Sequence, residues 1–330
     1  MNRWTPVPIL LGLLGLSVVL GVRFGSVPLS TAEVLAVLAG GGAPIARDIV
    51  LDLRLPRVLL GILVGGGLAM SGATFQALLR NPLAEPYILG ISGGASVGAV
   101  LVLAMGWTVA GSWALPLAAF AGALLAIAMV FGVATATGRA MDVRVLLLAG
   151  VVVAAFFSAC IALILSVSPA RTVQSAVLWI MGSLASANWQ SVVLTAAYTL
   201  PAAILLIGMA RPLNLMAIGE ETAYYLGADV ERVKRWALLI AALITASGVA
   251  VAGVIGFVGL VVPHAVRLLA GSDHRSLLPL SFLAGGTFLT MADLVARLTL
   301  APREIPIGVV TAFVGVPFFL LLLRRSLTAS

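Results

Sequence analysis

The run RWALLIAALITASGVAVAGVIGFVGLVVPHAVRLLA occupies residues 235–270. Read as one helix, it crosses a membrane once. Read as two, it crosses twice, and every later segment changes sides. Gly248, Gly253, Gly256 and Gly259 punctuate it, and its flanks decide between the two readings. Arg232, Lys234 and Arg235 precede it, and Arg267 and Arg275 follow. Basic residues collect on the cytoplasmic side. Both flanks are therefore expected inside, and the run is expected to cross twice.

The surrounding chain supports a membrane setting. It has 330 residues, of which 62% are hydrophobic and 9% charged, and its mean hydropathy is +1.18. A soluble domain carries about 25% charged residues, so a water-soluble fold is excluded. The apolar runs are continuous, whereas barrel strands would alternate, so the fold class is an all-α integral membrane protein. The net charge of +7 fits cytoplasmic Arg and Lys, and no nucleic-acid partner is expected. Cys160 is the single cysteine, which rules out an internal disulfide.

Outward from 235–270, the expected spans are 6–24, 57–79, 86–106, 113–137, 145–167, 191–210, two within 235–270, 277–298 and 305–323. That makes about ten transmembrane helices, with both termini cytoplasmic and most of the basic residues inside. A signal peptide is the alternative for the first segment. Three connections exceed simple turns. Residues 25–52 contain the amphipathic segment STAEVLAVLAG, and 168–190 contain TVQSAVLWIMGSL, long enough for a half-helix. Residues 211–235 carry much of the cytoplasmic charge.

Missing motifs narrow the chemistry. Lys234 is the sole lysine and is followed by Arg235, so no G-x-x-x-x-G-K-[ST] phosphate loop exists. His264 and His274 stand apart from any Cys or Ser constellation, so no catalytic residue, metal ligand or bound cofactor is expected. An ion-coupled transporter would want an acid within a span. Asp293 is the candidate, although Arg297 four residues later offers it a helix ion pair. Gly61 with Gly65, and Gly94 with Gly98, form GxxxG spacings that let helices approach closely, with substrate lining as the alternative. Pro263 should kink or end its helix, leaving His264 as a structural hydrogen-bonding residue.

Two stretches carry more specific signals. RNPLAEPYILGISGGASVG, 80–98, interrupts an apolar sequence with Arg, Asn, Pro, Glu and Pro, and reads as a turn leading into a narrow, glycine-rich helix. NLMAIGEETAYYLGADVERVKR, 214–235, reads as an amphipathic helix, a glycine break and a charged stretch. Within it Glu221, Ala223 and Gly227 fit E-x-A-x-x-x-G, which is similar to the EAA loop of ABC importer permeases. A solvated charged loop is the alternative, and the distal I-x-L-P part of the pattern is absent.

Taken together, 53–100, GEETAYYLGA (219–228), GVIGFVGLVVPHAVRLLAGSDHRSLLP (253–279), ADLVARL (292–298) and EIPIGVVTAFVGVPFFLLLL (304–323) resemble, in order, the permease subunits of ABC importers for iron-siderophore complexes, haem and cobalamin. The resemblance covers essentially the whole chain. It implies the vitamin B12/iron-chelate permease fold as a single transmembrane domain, 1–330, in a bacterial cytoplasmic (inner) membrane. It implies a homodimer with two cytoplasmic ATPase subunits, which use ATP and Mg, and a periplasmic or lipoprotein substrate-binding protein. Gly219, Glu220, Glu221, Ala223, Leu226 and Gly227 would then form the ATPase-coupling loop, and Asn81 and Leu83 the cytoplasmic gate. Arg54, Arg57 and Arg297 would dock the binding protein's glutamates, with interfacial snorkelling as the alternative. GRAMDVRVLL, 138–147, aligns with a second gate element, but Met141, Asp142 and Val143 stand where some relatives have small hydroxyl residues. No gate role is carried onto it. Iron-siderophore or haem is placed ahead of cobalamin as substrate, on how common those classes are.

Overall fold

The computed structural model describes residues 4–107, 113–136 and 142–328, and every regular element among them is helical. The order begins with α1 (Val7–Arg23), α2 (Thr31–Leu38) and α3 (Pro44–Arg47). A π-helical segment, Asp48–Arg54, leads into α4 (Leu55–Leu78), and a 3-10 turn at Pro86–Leu89 precedes α5 (Ile91–Ala104). Then come α6 (Ala114–Ala136), α7 (Val143–Ser166), α8 (Ala170–Ile180) and α9 (Trp189–Gly208). The chain finishes with α10 (Ala210–Ile218), α11 (Glu220–Tyr225), α12 (Val230–Ala252), α13 (Val258–Ala270), α14 (His274–Leu298) and α15 (Ile307–Thr328).

Among the described residues, six helical stretches are long and apolar enough to cross a bilayer: 44–78, 114–136, 143–166, 189–208, 230–252 and 274–298. Four shorter apolar helices, 7–23, 91–104, 258–270 and 307–321, occupy the other expected spans. The run 235–270 does divide in two. Gly253 caps α12 at φ +69°, and a Cβ there would collide with the Trp179 carbonyl. The helix α13 has 13 residues. At 1.5 Å per residue it covers about 20 Å, short of a hydrocarbon core of about 30 Å. The 14-residue α5 falls short in the same way. Each is preceded by irregular chain, 80–90 before α5 and 253–257 before α13. The expected helical span 86–106 is therefore shorter than its apolar run.

At the centre lies α4, which is buried almost without interruption from Leu60 to Leu79. It packs against α14, α12, α13 and α9. Its glycines allow this. A Cβ on Gly65 would collide with the Gly285 carbonyl of α14, and one on Gly285 with the Gly65 carbonyl. Gly94 of α5 and Gly122 of α6 meet in the same reciprocal way. The GxxxG spacings thus mark helix contacts, where backbones in lipid approach through small residues. Gly65→Val should force α4 and α14 apart at a cost above the roughly 3 kcal/mol that marks severe overpacking. The expected result is aggregated protein on size-exclusion in detergent. A monodisperse variant of unchanged melting temperature would show that the close approach is dispensable.

Of the two outcomes expected at Pro263, a kink or a helix end, the end does not occur: α13 runs through it. Proline removes the N–H that would reach the carbonyl four residues back, here Gly259. Gln76 Nε2 from α4 takes that carbonyl at 3.2 Å. His264 was expected to be a structural hydrogen-bonding residue. It is held instead by edge-on contact with Phe318, centroids 6.1 Å apart, and makes no hydrogen bond among the described residues.

Candidate functional site

At one end of the bundle, α10, α11 and the start of α12 form a compact elbow. Leu213 and Met216 of α10 and Ala223 of α11 are fully buried and seat the elbow on the helices behind it. Gly227, at φ +83°, closes α11: its N–H reaches Tyr224 O at 2.9 Å and Ala228 N–H reaches Ala223 O at 2.9 Å. That left-handed position is why glycine stands four residues after the buried alanine. Asp229 then caps α12 by accepting Arg232 N–H at 3.1 Å. Lys234, almost wholly buried, pairs with Glu220, fixing the start of α11. Glu221 points outward. So do Ile218, Tyr224, Tyr225 and Leu226, the tyrosines 69% and 77% exposed. The predicted loop is thus a rigid knob whose tip is apolar.

The turn 80–90 lies beside this elbow. Arg80 adopts φ +48°, and its guanidinium reaches towards Gly219, 3.9 Å from where a Cβ there would sit. Asn81 Oδ1 accepts Leu83 N–H at 2.9 Å, and Leu83 is 48% exposed. Both candidate gate residues therefore sit at the same end as the knob. Two further residues of this turn, unassigned by sequence reasoning, reach the break between α12 and α13. Glu85 accepts Phe257 N–H at 2.6 Å. Tyr87 Oη donates to Ile255 O at 3.0 Å and accepts Ile255 N–H at 3.2 Å.

At the opposite end, the three predicted arginines line one recess of about 230 Å³, together with Gly25, Ser26 and Glu304. They are not freely presented. Arg54, 4% exposed, donates to the carbonyls of Val22 at 3.0 Å, Arg23 at 2.8 Å and Val27. Arg57 forks onto Asp293 (3.0 and 2.8 Å) and Glu304 (both 2.9 Å). Arg297, 3% exposed, donates to Gly21 O at 2.7 Å and lies 3.5 Å from Asp293. The expected Asp293–Arg297 pair exists, but Arg57 is the closer partner. No sequence signal joined it to Asp293, 236 residues away. Three guanidinium groups against two carboxylates leave the recess net positive.

Between the ends, a cavity of about 590 Å³ is lined by Met181, Val254, Gly256, Phe257, Phe313 and Val316, among others, and is almost wholly apolar. Three irregular segments meet at its wall. Ser183 N–H bonds Ala252 O at 2.8 Å, Ile307 N–H bonds Gly182 O and Gly308 N–H bonds Met181 O, both at 3.1 Å. Non-helical backbone at membrane depth survives only inside protein or beside a cavity, and these bonds satisfy it here. Residues 138–141 of the second candidate gate loop lie outside the described residues. Among the described residues, no three His, Cys, Asp or Glu side chains gather where a metal ion could sit.

A knob at one end, a charged recess at the other and a cavity bounded by broken helices form one membrane-spanning assembly. The profile of the FecCD transport family matches residues 13–325. This chain belongs to that family.

Its relatives include the Bacillus subtilis ABC transporter permease protein YvrB, 42% identical over 98% of this chain and 94% of that one. The cobalamin import permease BtuC of Halobacterium salinarum is 45% identical over 90% of this chain and 79% of its own. The hemin transport permease HmuU of Yersinia pestis is 42% identical over 83% of each. A solved inward-facing metal-chelate type ABC transporter superposes with TM-score 0.86 at 31% identity, covering 96% of this chain and 99% of that one. The protein is thus an integral membrane ABC permease of the FecCD type.

Proposed function

We propose that the chain is the non-enzymatic permease subunit of a bacterial inner-membrane importer. It forms, as a homodimer, the path of an iron-siderophore complex or haem into the cytoplasm. The observation that carries this reading is the knob: a buried anchor presenting Ile218, Tyr224, Tyr225 and Leu226 to the aqueous phase. Exposed aromatic side chains on a rigid seat have the character of interface anchors. A separate ATPase subunit is their occupant, and it supplies the hydrolysis that this chain lacks the phosphate loop to perform. The knob end is then cytoplasmic, as are both termini, and Asn81 and Leu83 flank the inner mouth.

The recess end faces outward and receives the substrate-binding protein. Glu304, its carboxylate 32% exposed, is the group that an incoming glutamate would displace from Arg57, and guanidinium forks suit such an exchange. The broken-helix cavity provides half the path, and a second copy provides the other half. Cobalamin is the second reading for the substrate, favoured by the relative named for it at 45% identity. Titrating the associated binding protein with haem, a ferric siderophore and cobalamin separates the three.

The role itself is tested by co-expression with the associated ATPase subunit, followed by uptake in proteoliposomes. The two should copurify, and uptake should require ATP. Glu221→Arg should cut uptake at least about tenfold, as loss of a contact of about 1.4 kcal/mol would do. Uptake that persists without any ATPase would point to ion coupling and sink the proposal.

A further inference from the structure

Two positive-φ residues other than glycine occur among the described residues, Arg80 and Phe257. Left-handed backbone is unfavourable for a bulky residue, and it persists only where its surroundings hold it. These two lie at the ends of one chain of contacts. Arg80 opens the turn 80–90, and its guanidinium extends towards the elbow at Gly219. From the same turn, Glu85 holds the Phe257 N–H and Tyr87 takes both polar groups of the Ile255 backbone. Gln76, one helical turn before Arg80, holds the Gly259 carbonyl freed by Pro263 and accepts Arg267 Nη2 at 3.0 Å. Pro86 lies against Gly259. The break between α12 and α13 is thus fastened over 255–259 by residues 76–87, while Ser183 holds its start at Ala252. At its far side the Phe257 ring covers Gly315 of α15, where any side chain would collide with it, and forms part of the cavity wall.

We propose that Glu85 and Tyr87 form a clasp that transmits movement of the turn 80–83 to Phe257, so that the inner mouth and the cavity wall change together. The proposal rests on the importer reading above. Both are positioning residues: neither side chain lines the cavity. Packing alone would not need their arrangement. Tyr87 satisfies donor and acceptor of one peptide residue, and the Glu85 oxygen supplies the N-terminus of α13 with an acceptor that no side chain of its own provides. Irregular backbone within a membrane protein must find such partners. Because these come from the gate turn, a shift of that turn either carries 255–257 with it or strands their polar groups.

The test uses the permease with its ATPase subunit in proteoliposomes, in a Cys160→Ser background. Bimane is attached either at Leu83→Cys on the turn or at Phe313→Cys on the cavity. Both labels should change fluorescence between the nucleotide-free state and ATP with vanadate. In Glu85→Leu/Tyr87→Phe the Leu83 label should keep its response. The Phe313 response should fall by at least about fivefold, the factor that even one of the three lost hydrogen bonds commonly gives. Glu85→Gln keeps an acceptor oxygen and should preserve both responses. If the double variant does not fold, Tyr87→Phe alone carries the same comparison. A Phe313 response that survives, a joint loss at both labels, or a Glu85→Gln that behaves like Glu85→Leu would each overturn the clasp. Silence of both labels in the parent protein would instead remove the importer reading, and the clasp with it.

Discussion

Asp293→Asn should lower the stability of the folded chain in detergent by about 3 kcal/mol, the lower end of what removing one partner of a buried ion pair costs. The carboxylate is 3% exposed and sits between two guanidinium groups, Arg57 and Arg297. The amide would keep the shape and one acceptor but none of the charge. Arg57 retains Glu304, which is why the lower figure applies. Among the described residues Arg297 retains one hydrogen bond, to the Gly21 carbonyl, and becomes a buried cation without a paired carboxylate. The double variant Asp293→Asn/Arg297→Gln should therefore recover part of the loss, a coupling that a double-mutant cycle measures. Thermal unfolding followed by fluorescence-detected size-exclusion reads both. The opposite result also has a meaning. A variant that melts like the parent but no longer transports would make Asp293 a titrating group, as an ion-coupled carrier needs.

The same network shows where sequence reasoning reaches its limit. The spans were legible because a lipid-facing helix declares itself along one dimension, as a continuous apolar run. The break at Gly253 was legible because the basic residues on both flanks demanded an even number of crossings. The close approach of α5 to α6 was foreshadowed by Gly94 and Gly98. Polar satisfaction is different. Asp293 was visible as an acid within a span, and Arg297 as its helical neighbour, but Arg57 and Glu304 come from other segments. Arg54 read as a surface arginine. It is turned inward because the end of α1 and the strand-like chain after it leave carbonyls at Val22, Arg23 and Val27 that need a donor. Pro263 read as a kink or a helix end. It is tolerated within the helix because Gln76, 183 residues from Gly259, covers the freed Gly259 carbonyl. Each of these outcomes depends on which helix lies alongside, and no local pattern encodes that. The knob was the intermediate case. Its spacing E-x-A-x-x-x-G follows from a buried alanine and a left-handed glycine, so the sequence showed its frame, whereas the exposed tip between them had no pattern to mark it.

That tip gives the second large effect. Tyr225→Ala combined with Leu226→Asp should weaken association with the ATPase subunit by about 100-fold or more, corresponding to about 2.7 kcal/mol. Tyr225 is 77% exposed and Leu226 62% exposed, so neither contributes much to folding of this chain. Surface substitutions of that kind usually change stability by less than about 0.5 kcal/mol. The anchor below them, Ala223 with Leu213 and Met216, is left untouched. The carboxylate introduced at 226 would be buried without a partner on docking, a penalty added to the lost apolar contact. Copurification and surface plasmon resonance against the ATPase subunit report the affinity, and the melting temperature of the permease alone reports the fold. A lost interaction at unchanged melting temperature assigns the effect to the interface. A retained interaction would mean that the knob's apolar tip is not where the ATPase sits. The recess at the other end should be indifferent to these substitutions, because Tyr225 and Leu226 are exposed and line no part of it. Affinity for the binding protein in the nucleotide-free state is thus expected to stay unchanged while ATP-driven uptake is lost, separating coupling from capture in one protein.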